Sequence, residues 1–222
     1  MNGKKVTFLT SIGAGLEYYD FVIYGMMAPY LSSLFFVSGD ASSQLIKTFA
    51  IFAVGYLFRP LGGIFFGLLA DRFGRKKSFL TVMLIMASAT FGIGLLPTYS
   101  SIGGMAVVLL IICRILQGIS FGAEIPGAIT IVSEFNAKNK GIHCGLVISS
   151  TAIGSTLAAL VLYLLSSNLD KDIMAAWGWR IPFLLGGLLA VVSYVMRSKL
   201  RETPEFTRNV IKHQSMLAPL KL

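Results

Sequence analysis

Five ionisable residues interrupt stretches of this sequence that are otherwise apolar. They are Glu17, Asp20, Arg59, Arg114 and Glu124. A charged side chain costs about 2.5–3.5 kcal/mol on insertion scales when it enters hydrocarbon, so each should face a polar cavity or a charged partner. Residues kept at this cost are typical of proton and solute pathways. Ion pairs that only hold helices together are the alternative explanation.

The two carboxylates near the N-terminus suit proton transfer. Glu17 and Asp20 are three residues apart and share a helix face, with Tyr24 one turn further along that face. Mutual repulsion and partial burial would favour the protonated form of one of them, which is the chemistry of a proton carrier. We favour Asp20 because it lies near mid-span, where Arg59 is at a similar depth and could pair with it. Glu17 could instead reach water at the inner interface without any function.

A second group of polar residues follows helical spacing further along the chain. Arg114, Gln117, Phe121 and Glu124 are separated by three, four and three residues, which places them on one side of a helix. The rest of that helix is apolar. We therefore expect this polar and aromatic stripe to line a cavity.

The composition predicts that these residues lie in a membrane protein. The chain has 222 residues, of which 55% are hydrophobic and 13% charged, whereas soluble domains carry about 25% charged residues. Its net charge of +9 comes from basic residues placed between apolar runs. No basic stripe with interleaved aromatics is present, so nucleic-acid binding is not predicted. Cys113 and Cys144 lack the spacing of a zinc site or a disulfide framework.

Six apolar stretches are long enough to cross a bilayer, which takes about 20 helical residues. They predict an all-α bundle of six transmembrane helices over residues 1–201, followed by a cytoplasmic tail over 202–222. The predicted spans lie near 8–37, 46–70, 78–97, 105–133, 142–167 and 179–197.

The distribution of Lys and Arg predicts the orientation of this bundle. Of the 19 basic residues, fourteen fall on the side of the N-terminus, three on the other side and two inside spans. Cytoplasmic flanks are enriched in Lys and Arg. Both termini are therefore expected in the cytoplasm.

Two spans contain glycines four residues apart. Gly63 and Gly67 lie on the second span, and Gly118 and Gly122 on the fourth. Such pairs let helix backbones approach closely in lipid. We expect both pairs to form packing interfaces.

Three segments resemble motifs of the major facilitator superfamily. The run from Gly67 to Lys77, GLLADRFGRKK, is similar to the signature loop between its second and third helices. The run RILQG at 114–118 resembles its fourth-helix motif, and RETPEF at 201–206 resembles the segment that closes its sixth helix. The resemblance implies the N-terminal half of that fold, a bundle of two inverted three-helix repeats.

Further segments resemble a narrower group, the metabolite:proton symporters that include proline/betaine, α-ketoglutarate, citrate and shikimate transporters. They are EYYDF at 17–21 with Tyr24-Gly25, RPLGG at 59–63, and 118–124. The group usually has Trp at the position of Tyr18 and often Gly at that of Ala123. The antiporter-type motif on the fifth helix is missing, since residues 145–159 contain no proline. The resemblance therefore implies symport.

The resemblance also implies a cytoplasmic gate at the signature loop. Asp71, Arg72 and Arg75 would form a charge-relay clamp with Glu134 as a candidate partner of Arg75, and Gly67 and Gly74 would permit tight helix ends. A basic loop beside a membrane could equally set topology by binding anionic lipid.

Together these features suggest half of a proton-coupled symporter of the inner (plasma) membrane, moving a small carboxylate or a zwitterionic osmolyte. A second six-helix bundle, either a separate C-terminal half or a second copy, is the expected partner. The alternative is a membrane interaction or remnant protein that does not transport. No nucleophile with its base, metal cluster or phosphate-cradling loop stands out, so an enzyme, a metal site or a cofactor is not predicted.

Overall fold

The protein is a bundle of long antiparallel helices. The computed structural model describes residues 3–136, 138–203 and 205–208. Its helices are α1 (Gly3–Phe35), α2 (Ala41–Leu57), α3 (Arg59–Phe73), α4 (Arg75–Leu95), α5 (Tyr99–Ile102), α6 (Met105–Phe135), α7 (Lys140–Asn168), α8 (Lys171–Ile173) and α9 (Arg180–Ser198), with a π-helical turn at Met174–Gly178.

Within the described residues, five helical segments are long and apolar enough to cross a membrane. They are Ala41–Phe73, which joins α2 to α3, and α4, α6, α7 and α9. The first helix α1 has 33 residues and is not among these five segments, although the sequence predicted a span there. It carries polar side chains that the bundle buries, among them Thr10, Glu17 and Asp20.

Each predicted span overlaps one helical segment, and the helices begin between five residues before and one residue after the predicted start. The predicted tail at 202–222 is described only at 202–203 and 205–208; the remainder lies outside the described residues.

Helix α1 lies at the centre of the bundle and contacts α2, α6, α7 and α9. Its Tyr19 hydroxyl donates a hydrogen bond of 2.9 Å to the carbonyl of Pro182 at the start of α9. Its last residue, Phe35, meets the edge of Trp179 with ring centroids 5.7 Å apart. A buried aromatic and aliphatic core therefore joins α1 to the start of α9.

Close backbone contact between α6 and the α2–α3 pair depends on glycine. A Cβ at Gly118 would collide with the backbone of Gly55, and a Cβ at Gly122 would collide with that of Arg59. The prediction for this pair is confirmed. On α3, Gly63 approaches the carbonyl of Gly122, whereas nothing lies within 4 Å of a Cβ at Gly67. The prediction that Gly67 is a packing contact is therefore wrong.

The second span is broken at Phe58, between α2 and α3. Pro60 causes the break, because its ring lacks an N–H and clashes with the carbonyl four residues earlier. Arg59 stands directly at this interruption. The break thus places a guanidinium group in the middle of the span.

Candidate functional site

A hydrogen-bonded chain crosses the middle of the bundle and ends on Asp20. Arg114 Nη1 donates to Gln117 Oε1 at 2.6 Å, and Gln117 Nε2 donates to Thr90 Oγ1 at 2.9 Å. Thr90 Oγ1 then donates to Asp20 Oδ2 at 3.3 Å. All four side chains are buried. Every donor in the chain points toward the carboxylate, and the other Asp20 oxygen has no hydrogen-bond partner.

Aromatic rings surround the arginine end of this chain. The guanidinium carbon of Arg114 lies 4.3 Å from the ring centroid of Tyr24 and 4.8 Å from that of Phe52. Those two rings are stacked with their centroids 5.8 Å apart. The Tyr24 hydroxyl reaches the carbonyl of Thr48 at 3.4 Å. Arg114 is thus held by π faces and by one amide, while its Nε and Nη2 groups have no acceptor.

Arg59 occupies a box of three aromatic rings. Its guanidinium carbon lies 4.1 Å from the centroid of Phe21, 4.0 Å from that of Tyr56 and 4.2 Å from that of Phe121. Contacts of this kind attract a cation through the negative face of each ring. The Nε and Nη2 groups of Arg59 have no hydrogen-bond acceptor. Because Arg59 is half-buried, this box lies at the edge of the bundle.

The sequence raised the idea of a direct pair between Asp20 and Arg59, and the structure does not contain one. The salt bridges of the described residues join Arg75 and Arg197 to their partners and include neither Asp20 nor Arg59. The two side chains do not pair, because aromatic rings surround Arg59 and Asp20 accepts its hydrogen bond from Thr90.

Glu17 belongs to a different cluster, centred on a residue that the sequence did not single out. Arg197 Nη1 lies 2.9 Å from both carboxylate oxygens of Glu17 and 3.4 Å from Oε1 of Glu124. Arg197 Nη2 also donates to the carbonyl of Thr10 at 2.9 Å. Glu17 accepts a further bond of 3.2 Å from Ser193. These contacts join α1, α6 and α9.

Glu17 is 1% exposed and Arg197 is 0% exposed. The alternative in which Glu17 reaches water at the interface is therefore wrong for this structure. Arg197 is the last residue of the predicted span 179–197, where a basic residue is ordinarily taken as part of the cytoplasmic flank. One signal was available: the three carboxylates within spans, Glu17, Asp20 and Glu124, need cations, and Arg197 ends an apolar run.

The stripe on α6 faces the interior of the bundle. Arg114, Gln117 and Glu124 are at most 1% exposed and Phe121 is 7% exposed. Side chains of the neighbouring helices therefore cover the stripe.

At the signature loop, Arg75 contacts two acidic residues. Its Nη1 lies 2.7 Å from Asp71 and its Nε lies 3.4 Å from Glu134. The loop reverses at Gly74, whose φ of +107° disfavours any other residue. Glu202, just after α9, accepts bonds of 3.2 Å from the backbone N–H of Lys76.

Two members of the expected gate behave differently. Arg72 is exposed and lies over its neighbour Phe73, 5.3 Å from the ring centroid, and none of the salt bridges among the described residues includes it. The prediction that it joins the clamp is wrong. Gly67 lies inside α3 and not at its end. It lines a cavity of about 90 Å³ together with Arg75 and Gly127.

Metal-binding groups and cysteine pairing were also considered for the described part of the chain. It contains no group of three or more His, Cys, Asp or Glu side chains that could hold a metal ion. Cys113 and Cys144 are both free thiols.

Comparison with known proteins identifies relatives of nearly the whole chain. The family model described as sugar (and other) transporter matches residues 6–218. The proline/betaine transporter of Salmonella typhimurium is 39% identical over 210 residues, which cover 94% of this chain and 42% of that protein. The glycine betaine/proline/ectoine/pipecolic acid transporter OusA of Dickeya dadantii is 38% identical with the same coverage. The chain thus spans less than half the length of these curated relatives.

Solved structures show the same arrangement of helices. The proton:xylose symporter XylE bound to 6-bromo-6-deoxy-D-glucose gives a TM-score of 0.83 at 19% identity, over 92% of this chain and 46% of the symporter. A partially occluded, inward-open form of XylE from E. coli gives 0.84, also at 19% identity, over 94% and 52%. At such identity the likeness shows the fold alone.

Proposed function

The chain belongs to the sugar (and other) transporter family of the major facilitator superfamily, and on that premise we propose that it is half of a proton-coupled symporter for a small zwitterion or carboxylate. Its bundle is the N-terminal half of the major facilitator fold. The solutes in the names of its relatives include proline and betaine. Both carry a carboxylate and a positively charged nitrogen.

The observation that carries this proposal is the pair of arginines with unused donors. Arg59 and Arg114 each keep two N–H-bearing nitrogens without an acceptor, and guanidinium groups bind carboxylates with well-defined geometry. Arg59 is half-buried, so a solute could reach it from the edge of the bundle. The rings of Phe21, Tyr56 and Phe121 hold its guanidinium group through their π faces, which leaves the unpaired N–H groups for a solute carboxylate.

The direction of the hydrogen-bonded chain supports proton coupling. An ionised Asp20 attracts the Thr90 hydroxyl, which orients the Gln117 amide and thereby holds Arg114. Hydrogen bonds in such chains polarise one another. A proton on Asp20 removes the negative end of the chain and loosens Arg114. The proton and the solute therefore act on the same guanidinium group from opposite sides.

Proteoliposome uptake of labelled proline or betaine under a proton gradient tests this coupling, with the chain reconstituted beside a second bundle. Asp20→Asn should abolish gradient-driven uptake and leave insertion intact, whereas Asp40→Asn in an exposed connection should have no effect. Normal uptake with normal pH dependence in Asp20→Asn would assign the role to another residue.

The proposed gate is the loop held by Arg75. Asp71 and Glu134 clamp this side chain between the end of α3 and the end of α6, so movement of either helix must break a pair. If the loop serves this purpose, Arg75→Gln should change transport while Arg72→Gln should not. Equal effects of the two substitutions would favour the alternative, in which the basic loop binds anionic lipid.

The proposal of a second bundle is supported by a face of α7 that no other described helix covers. On α7 the buried residues are limited to Val147, Ser150, Gly154 and Ala158, and the small residues Gly141 and Gly145 are exposed. A helix could approach this face closely. A separate C-terminal half is favoured over a second copy, because the two halves of a symporter present different groups to a solute. Uptake by liposomes that hold a single copy would refute this requirement.

We also propose the cell inner (plasma) membrane as the location, with both termini in the cytoplasm. The excess of Lys and Arg on the N-terminal side supports this orientation. If reconstitution with a second bundle yields insertion but never uptake, the chain is instead a membrane interaction or remnant protein.

A further inference from the structure

The cluster around Arg197 contains one more carboxylate than it has cations. Arg197 Nη1 contacts Glu17 through both carboxylate oxygens and Glu124 through Oε1. The three side chains are at most 1% exposed. With every group ionised, the cluster would have a net charge of −1 in the buried interior of the bundle, which is an unfavourable arrangement.

Among the described residues, Arg197 is the cation that the salt bridges join to the two carboxylates. From α9 they face Arg197 and Ser193, and from α4 the guanidinium group meets the Met83 sulfur at 3.7 Å and lies over the Phe79 ring. The titratable neighbour on α1 is Asp20, which is itself acidic. The intramembrane cations Arg59 and Arg114 lie against the aromatic rings of their own sites.

The two carboxylates are not equivalent. Glu17 receives two contacts of 2.9 Å from Arg197 and one hydrogen bond from Ser193. Glu124 receives one longer contact of 3.4 Å, and its Oε2 has no hydrogen-bond partner. Glu17 therefore has the surroundings of an ionised group, and Glu124 those of a neutral one.

We propose that Glu17 and Glu124 bind a single proton around Arg197 at neutral pH, held on Glu124. This is a proton-binding site separate from Asp20. It goes beyond the proposed function, because it follows from charge balance and does not depend on transport. The proton belongs to the coupled pair, so removal of either carboxylate should release it.

Infrared spectroscopy of the full chain in liposomes tests this site. Isotopic labelling of glutamate alone separates a protonated Glu from a protonated Asp20, since the carbonyl band of a protonated carboxyl group shifts with the label. At neutral pH the wild-type chain should show one such glutamate band. Its absence would overturn the proposal, whatever the variants do.

Two substitutions and a control test whether Glu17 and Glu124 share the proton. Glu124→Gln should abolish the band, because Glu17 then pairs alone with Arg197. Glu17→Gln should abolish it as well, because Glu124 becomes the ionised partner. Glu205→Gln, in the exposed segment after α9, should leave it unchanged. Persistence of the band in either of the first two variants would show that the proton is not shared and would overturn the proposal.

Discussion

Replacing Arg197 with Met should destabilise the bundle more than any exposed substitution. The change keeps most of the side-chain volume but leaves Glu17 and Glu124 buried without a cation. Removing one partner of a buried ion pair costs about 3–5 kcal/mol. The free energy of unfolding should fall by about this amount, which corresponds to roughly two to four orders of magnitude in the unfolding equilibrium.

Reversible unfolding in mixed detergent micelles measures this loss. Arg201→Met is the matched control, since Arg201 is exposed four residues later and should change stability by no more than about 0.5 kcal/mol. Arg197→Met combined with Glu17→Gln should recover part of the loss, because one unpaired charge is gone. Acidification should also lessen the loss, because a protonated carboxyl group needs no counter-charge. A loss below about 1 kcal/mol in Arg197→Met would refute the buried ion cluster, given the magnitude expected for such pairs.

Three other outcomes are expected. Gly122→Ala should lower the free energy of unfolding by about 1–3 kcal/mol through overpacking. Gly145→Ala, where the added Cβ meets open space, should leave it unchanged. Equal losses of stability in the two variants would contradict the close contact of α6 with α3. Cysteine labelling of intact cells should reach a Cys at Lys171 but not one at Lys77, and the reverse pattern would invert the predicted orientation. Glu202→Gln should weaken the hydrogen bonds from the backbone N–H of Lys76 in the first turn of α4. Proteolysis of the segment after α9 should then be faster. An unchanged cleavage rate would show that these hydrogen bonds do not hold that segment.

The helices and their order could be predicted because the signal is strong at that level. Apolar stretches of about 20 residues, separated by short polar connections, have few alternatives to membrane-spanning helices. The four-residue spacing predicted the packing face of Gly118 and Gly122, although the same spacing was wrong for Gly67. Their actual contacts, Gly55 and Arg59, depend on which helices become neighbours.

Partner choice within the site was harder to predict. Depth along a span suggested Asp20 with Arg59, but pairing also depends on the rotation of each helix, which depth does not determine. Arg59, next to the break at Phe58, lies against three aromatic rings and not against Asp20. Arg197 was missed because a basic residue at the end of a span ordinarily extends to the interface, whereas here Glu17 and the carbonyl of Thr10 hold it inside.

The ion pair between Glu17 and Arg197 joins residues 180 positions apart, which has a consequence during synthesis. Translation at about 5–20 residues per second leaves Glu17 without its partner for roughly 10–40 s. Throughout that interval the first helix must keep its carboxylate protonated or beside the aqueous insertion machinery. Arrival of α9 then supplies the missing cation to α1 and α6 at once. A helix that emerges from the ribosome long after α1 therefore completes the interior around α1.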